Sequence, residues 1–242
     1  MDVIVVVPTY NESENLARMA EALLALPVPG LRLLDVDDDS PDGTGRLADG
    51  LAALSPGRIA VLHRRGPRGL GLAYLEGFRW ALENGAEAIV QMDADFSHPP
   101  ADVPRLLERL ADCDVAVGSR YVSGGSVDER WPLGRLALSR SANAYARTLL
   151  RLKTRDATAG FKAWRRTALE AVGLGRLRSN GYLLQVEMTY VCERLGLGIC
   201  EVPIHFAERT TGRSKMSRRV QFEAAAGLFA VWRRHHRLRP PA

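Results

Sequence analysis

Along the first half of the chain, short unbroken apolar runs alternate with stretches whose apolar residues recur every three or four positions. Val3 to Val7 is a continuous β-branched run, the pattern of a strand covered on both faces in a parallel sheet. Leu16, Met19, Ala20, Leu23 and Leu24 then fall at helical spacing and predict a helix from about Glu14 to Leu26, capped by Asn11 or Ser13 and ended by Pro27 and Pro29. The alternation repeats: a strand over Leu31 to Val36, a helix from about Gly45 to Leu54, a strand over Ile59 to His63, a helix reaching about Asn84, a strand over Ala88 to Met92 and a fifth over Asp114 to Gly118. Strand and helix at intervals of roughly 30 residues mark βαβ units. The fold class is therefore α/β, a mostly parallel sheet flanked by helices.

Further on the pattern becomes purely helical. Trp131-Pro132-Leu133 opens a helix running to about residue 152. On it Arg135, Ser139 and Asn143 form one polar stripe, beside an apolar stripe of Leu138, Ala142, Tyr145, Leu149 and Leu152 expected to pack into the core. An arginine and a hydroxyl one turn apart can hold two oxygens of one phosphate. Near the end, Phe222, Ala225, Ala226, Phe229 and Trp232 share one side of a helix flanked by Arg218, Arg219, Arg233 and Arg234. That composition suits an amphipathic helix lying in a membrane interface, and equally one packed on its own domain. Residues 1–216 read as one catalytic domain that includes the 133–152 helix, and 217–242 as a basic amphipathic helix and tail.

Composition narrows the partners. At 242 residues and 46% hydrophobic, the chain buries a sizeable core. Cys113, Cys192 and Cys200 are too scattered for a disulfide framework or a zinc site, which suggests a reducing, cytoplasmic setting. A strand at the very start leaves no room for a signal peptide, and the apolar run Ala224 to Trp232 falls short of the roughly 20 residues a membrane span needs. The net charge of +5 is concentrated late, at Arg209, Arg213, Lys215 and beyond, where an anionic membrane surface or a phosphorylated ligand would be drawn. Without aromatic residues interleaved among those charges, nucleic acid is not an expected partner.

The candidate chemistry sits at strand ends. The fourth strand runs into Asp93-Ala94-Asp95-Phe96-Ser97-His98-Pro99-Pro100. Residues i and i+2 of extended backbone point the same way, so the two carboxylates can share a divalent ion, and Ala94 leaves room for a ligand. Mg²⁺ or Mn²⁺, with oxygen ligands at about 2.1 Å, suits such a pair and is normally shared with substrate phosphates. Pro8-Thr9-Tyr10-Asn11-Glu12 and Asp37-Asp38-Asp39 close the first two strands. There Tyr10 offers a ring to a nucleobase, and Glu12 and Asp38 can accept from base or ribose donors. Ligands of open α/β sheets bind at such carboxyl ends.

These motifs, in order and spacing from Asp2 to about Lys215, resemble the dolichol-phosphate (polyprenol-phosphate) mannose synthases of glycosyltransferase family 2. The match includes Val7-Pro8-Thr9-Tyr10-Asn11-Glu12, Val36 to Thr44, Arg68-Gly69-Leu70-Gly71, Met92 to Asp95, Gly118 to Tyr121, Arg135 with Ser139-Arg140, Gly181-Tyr182 with Glu187-Met188, and Glu201-Val202-Pro203-Ile204 through Arg209 to Lys215. The resemblance implies a GT-A (Rossmann-like) fold and an inverting enzyme that transfers mannose from GDP-mannose to a polyprenyl monophosphate on the cytoplasmic face of a membrane. It implies a nucleotide-sugar site of Pro8, Tyr10, Glu12, Asp37, Asp38, Asp93, Ala94 and Asp95, and a metal held by Asp93, Asp95 and Ser97. Arg120, Arg135, Ser139, Arg209 and Lys215 would hold the acceptor phosphate, with Asp95, Arg120, Arg135 and Arg209 carrying the catalysis.

Two departures stand out. Ser97 occupies a position where some relatives place a metal-binding glutamine, and Asp35 one where Val or Ile is usual; the sequence offers no physical reason for a charge there. Many relatives also carry transmembrane helices after the catalytic domain, so this chain would need its carboxyl-terminal helix or a membrane partner protein to reach a lipid. Another nucleotide sugar, such as UDP-glucose, stays open as donor. A non-enzymatic nucleotide-binding adaptor is disfavoured, because a mere binder has no use for a second, basic phosphate site.

Overall fold

The computed structural model describes residues 1–208 and 218–240, with side chains of the last helix described from residue 227. Its elements are β1 (Val3–Thr9), α1 (Ser13–Leu24), β2 (Leu31–Asp37), α2 (Thr44–Leu54), β3 (Ile59–His63), α3 (Leu70–Glu83), β4 (Ala88–Gln91), α4 (Val103–Arg109), β5 (Val115–Ser119), β6 (Ser126–Val127), α5 (Leu133–Leu150), β7 (Lys162–Arg165), α6 (Arg166–Val172), α7 (Tyr182–Arg194), β8 (Ile199–Pro203), β9 (His205–Phe206) and α8 (Arg218–His235). A seven-stranded sheet has the order β3-β2-β1-β4-β7-β5-β8, and β6 pairs with β9 in a small second sheet. Strands β1 to β4 run parallel, as do β5 and β8, whereas β7 is antiparallel to both its neighbours.

The continuous apolar strands follow from this layering. Alternate residues of β1 feed two cores: Ile4 and Val6 pack with Phe78, Leu169 and Met188 of α3, α6 and α7, and Val3, Val5 and Val7 with Met19, Leu23 and Leu106 of α1 and α4. Strand β7 escaped the periodicity argument because it contains Lys162, a charge at a fully buried position. The lysine is held by neutral acceptors, the Gln185 carbonyl (3.1 Å), Gln185 Oε1 (3.2 Å) and Thr189 Oγ1 (3.3 Å). Burial pushes its pKa down to about 8.

Two local expectations are corrected. Neither Asn11 nor Ser13 caps α1: Glu12 holds the cap position without a side-chain bond to the backbone, and the Ser13 amide donates instead to Asp42 Oδ2 (3.2 Å). The loop before α2 thus supplies the acceptor a cap would have given. The stripes of α5 hold only at its carboxyl end, where Leu149 and Leu152 pack into the core as expected, and are reversed before it. Leu138 and Tyr145 are exposed, and Asn143 is buried, donating to the Arg155 carbonyl and accepting from the Ala157 amide (3.0 Å). What faces this part of α5 is a loop with unpaired backbone groups, and a polar stripe satisfies it better than an apolar one. Further along, Ala146 and Leu150 pack with Val186, Tyr190, Leu228 and Val231, which seats α8 against α5 and α7. Phe229 and Trp232 stack at 5.5 Å on its exposed side; the side chains of Phe222, Ala225 and Ala226 lie outside the described set. Among the described residues no helix is long and apolar enough to cross a membrane.

Candidate active site

Three adjacent strand ends form the floor of the site. Each leaves the sheet through a non-glycine residue with positive φ: Asn11 (58°) after β1, Asp39 (59°) after β2 and Phe96 (61°) after β4. Asn and Asp tolerate this region, but phenylalanine does so only under constraint from its surroundings. Past the end of β1, Arg68 lies over the Tyr10 ring at 4.8 Å and donates to its hydroxyl (2.9 Å). A second nitrogen of Arg68 donates to Asp39 Oδ2 (2.8 Å). Glu12 Oε2 accepts from Asn15 (2.8 Å), and its amide donates to Thr44 Oγ1 (3.0 Å). Asp38 is buried and takes Arg64 on one oxygen and the Gly69 amide on the other (2.7 Å). It therefore braces the glycine-rich loop. Asp37 accepts from the Ser40 amide (3.3 Å) and borders a cavity of about 350 Å³ with Arg46, Asp49 and His63. The bond to Asp49 raises the pKa of His63. Pro8 lies within β1 opposite Val36, and Ala94 is buried beside the carboxylate pair.

The pair itself is fixed from two directions. The Tyr74 hydroxyl donates to Asp93 Oδ1 (2.7 Å), and the Asp93 amide donates to His98 Nδ1 (3.1 Å). Burial raises the Tyr74 pKa well above its usual value and lowers that of His98, so the phenol stays a donor and the imidazole neutral, with its proton on Nε2. Asp95 Oδ1 accepts from the Ser97 amide (3.0 Å). No three His, Cys, Asp or Glu side chains converge on a metal position among the described residues. Two hard carboxylates nevertheless fit Mg²⁺ or Mn²⁺, ions that habitually complete their shell with water and substrate phosphate. Ser97 is almost wholly buried, its amide committed to Asp95 and its carbonyl to the Ala207 amide (3.1 Å).

Phe206 joins this pair to a cluster of arginines. His98, stacked on Phe161 at 5.1 Å, meets the edge of Phe206 at 5.4 Å; Trp131 meets it at 5.6 Å, and Arg120 lies over it at 5.3 Å. Arg135 in turn lies 3.8 Å above Trp131 and pairs with Glu208 (2.7 Å). The Ser139 and Tyr121 hydroxyls bond at 2.7 Å. Arg120 is less available than its motif suggests: Nε and Nη2 bind the two oxygens of Asp156 (2.8 and 2.7 Å), and Nη2 also bonds Thr158. Burial opposes both charges, yet each sustains the other, raising the pKa of Arg120 and lowering that of Asp156. Arg209 and Lys215 lie outside the described residues. Tyr74, His98, Asp156, Phe206 and Glu208 were not singled out by sequence. The first two flank the acidic motif and could have been suspected, but nothing in the run 153–158 announces a buried carboxylate.

Asp35 acquires a physical description. It is fully buried on β2, and neither of its oxygens nor Thr9 Oγ1 makes a hydrogen bond of normal geometry among the described residues. Burial pushes its pKa from 3.8 up to about 7, with the Thr9 hydroxyl pulling the other way. Between these values the folded chain holds a proton that the unfolded chain has released. Stability should therefore fall as pH rises from about 4 to about 7 and stay low above. Asp35→Val should flatten that slope and, at pH 8, add about 2 kcal/mol in urea unfolding by removing an unsatisfied buried group. An unchanged slope in the variant would refute this account.

Comparison with known proteins sets this geometry in a family. Residues 4–173 match the sequence model described as "Glycosyl transferase family 2". Polyprenol monophosphomannose synthase of Mycolicibacterium smegmatis is 48% identical over 88% of this chain and 80% of its own length. Undecaprenyl-phosphate mannosyltransferase of Micrococcus luteus is 46% identical over 96% of each chain. Dolichol-phosphate mannosyltransferase of Pyrococcus furiosus is 36% identical over 96% of this chain, which spans only 64% of that longer relative. In three dimensions the chain superimposes in full, with TM-score 0.67 and 19% identity, on 81% of glucosyl-3-phosphoglycerate synthase from Mycobacterium tuberculosis, solved with Mn²⁺, UDP and glucosyl-3-phosphoglycerate.

Proposed function

The chain belongs to glycosyl transferase family 2 and has the GT-A architecture, and from that premise we propose that it transfers mannose from GDP-mannose to a polyprenyl monophosphate with inversion at the anomeric carbon. The observation that carries the reading is the aromatic junction at Phe206, which joins a carboxylate pair suited to a diphosphate-bound cation to arginines suited to a second phosphate. High identity to mannosyltransferases named for polyprenyl acceptors supports it.

In this reading Tyr10, backed by Arg68, stacks on the base, and Glu12, Asp37 and Asp38 line the nucleoside, with Pro8 and Ala94 shaping the floor. Asp93 and Asp95, with Ser97 beside them, hold the divalent ion, which would neutralise charge on the departing diphosphate. Arg135 exchanges Glu208 for the acceptor phosphate, helped by Ser139, and Arg209 and Lys215 are assigned to the same anion. Arg120, anchored by Asp156, adds fixed positive potential. An acceptor phosphate oxygen attacks the anomeric carbon, the bond to the diphosphate breaks, and its electron pair leaves with GDP. The acceptor already offers an ionised oxygen at neutral pH and needs no base to create its nucleophile, so positioning and charge compensation supply most of the acceleration.

A radiolabelled transfer assay with GDP-mannose, GDP-glucose and UDP-glucose against a short polyprenyl phosphate tests the donor and acceptor together. In the same assay Arg135→Ala should raise the acceptor KM about tenfold or more, the loss of one charge-assisted contact, with GDP affinity preserved. An equal loss of GDP affinity would put Arg135 on the wrong phosphate.

The lipid acceptor places the enzyme at a membrane surface, on its cytoplasmic face. The outward pair Phe229 and Trp232, the exposed Leu133, Leu138 and Tyr145 of α5 and the basic end of α8 are the contact surface in this proposal, and a membrane partner protein is the other route. Binding to anionic vesicles should be reversible and weaken with salt, each arginine contributing about 1 kcal/mol near the surface. Flotation of Phe229→Ser/Trp232→Ser at low and high salt checks it. Undiminished flotation of that variant would move the contact off α8.

A further inference from the structure

Among the described residues Glu187 of α7 bonds to none of those assigned to substrate, yet it is completely buried and accepts four hydrogen bonds. One oxygen accepts the backbone amides of Arg178 (3.0 Å) and Ser179 (2.8 Å) from the loop before α7. The other accepts Arg234 Nη1 (2.6 Å) and His235 Nε2 (2.8 Å) from the last turn of α8. Burial works to raise its pKa, but the bond from His235, the two amides and Arg234 outweigh that and hold it low.

The next residue of the same loop, Asn180, is packed onto the glycine-rich start of α3. Its Oδ1 accepts the Gly71 amide (3.1 Å). A Cβ at Gly69 would stand 2.5 Å from Asn180 Nδ2, and one at Gly71 would stand 2.9 Å from Oδ1. Glycine at both places is what permits this approach. Gly69 gives its amide to Asp38, and its neighbour Arg68 covers Tyr10.

We propose that Glu187 is a positioning residue for the donor site: it ties the seating of α8 to the 178–181 loop and, through Asn180, to the glycine-rich segment that braces Asp38 and Tyr10. A chain with α8 seated has its nucleotide loop held, and one with α8 lifted loses two of the four bonds that keep Glu187 and the loop in register. The α8 end is the end that bears the outward aromatic pair, so whatever engages that helix acts on donor binding as well. The two ends then share one coupling free energy, and each ligand must affect the other site equally. This extends the donor-site reading above and rests on it for the identity of the nucleotide.

Backbone hydrogen exchange on the full-length, ligand-free chain tests the link without any assumption about substrate. His235→Phe keeps a ring but removes the donor; His235→Gln restores one. Exchange at the Gly69 and Gly71 amides should quicken about fivefold or more in the first and return towards the wild-type rate in the second. Unchanged exchange at these two amides in His235→Phe overturns the proposal, as does equal quickening in both variants, the mark of a general loss of packing. Should His235→Phe fail to fold, Arg234→Met, whose side chain is partly exposed, is read in the same way. A second arm measures GDP affinity by calorimetry. His235→Phe and Asn180→Ala should each weaken it about fivefold, and the double variant no further. Additive losses would contradict a shared path. If the wild-type chain bound no GDP, the donor assignment would fall, while the exchange arm would still decide the link.

Discussion

Asp95→Ala is expected to reduce transfer by at least about a thousandfold, equivalent to some 4 kcal/mol of lost transition-state stabilisation, with the fold intact. The expectation rests on the strand end that presents Asp93 and Asp95 together, and on the need to offset charge on a departing diphosphate. Asp93→Ala would strand the buried Tyr74 hydroxyl and Asp95→Ala the buried Ser97 amide, so the melting temperature of the variant is read beside its turnover to separate chemistry from stability. The same reasoning requires that excess chelator stop the reaction and that Mg²⁺ or Mn²⁺ restore it. Full activity in chelator, or near-normal turnover by the variant, would remove the metal from the mechanism.

Asp156→Ala should be the most damaging single change to stability. Its carboxylate is fully buried and receives Arg120 in a two-pronged pair together with the Arg120 amide (3.0 Å) and Thr158 (3.1 Å). Removing one partner of such a pair leaves an uncompensated buried charge and costs about 3–5 kcal/mol, a fall in Tm on the order of 10 °C for a chain of this size. The pair's contribution has a definite pH sense. Asp156 has a depressed pKa in the folded chain, so its stabilisation is complete above the ordinary carboxylate value and disappears as pH falls through the depressed one. Arg120→Met combined with Asp156→Leu should recover much of the stability and none of the activity. Calorimetric melting of both variants decides it: a double variant no more stable than the single one would show that volume, not charge, had been lost.

What the sequence disclosed and what it hid have different physical origins. The first four strands were legible because each is mostly apolar, with Arg32 and Asp35 the charged exceptions inside β2, and has its helix alongside, and the acidic ends followed from where those runs stop. Strand β7 was not, since Lys162 breaks the apolar signature while the Gln185 and Thr189 acceptors that excuse it come from a helix far along the chain. The stripes on α5 misled for a related reason. Periodicity reports which residues share a face, but whether that face meets a core or a polar loop depends on residues 154–158, which no local pattern ties to Asn143. Arg120 and Arg135 were recognisable in their motifs. Their partners Asp156 and Glu208, which determine how free each guanidinium is, were set by tertiary contacts alone.

The placement of β7 also has a consequence for how the chain comes to be folded. Strands β5 and β8 bond to each other but reach β1 to β4 only across β7. During synthesis from the amino end, β1 to β4 can assemble with α1 to α3 as soon as they emerge. The outer edge of β4, however, keeps an open row of amides and carbonyls until Lys162–Arg165 has been made and inserted. An exposed edge of that kind is a template for a second nascent chain, and its closure depends on contacts of long sequence separation, which form slowly. A chain stalled or cleaved between α5 and β7 would therefore hold a finished amino-terminal half beside a sticky, unfinished edge, the species most in need of a chaperone during biogenesis.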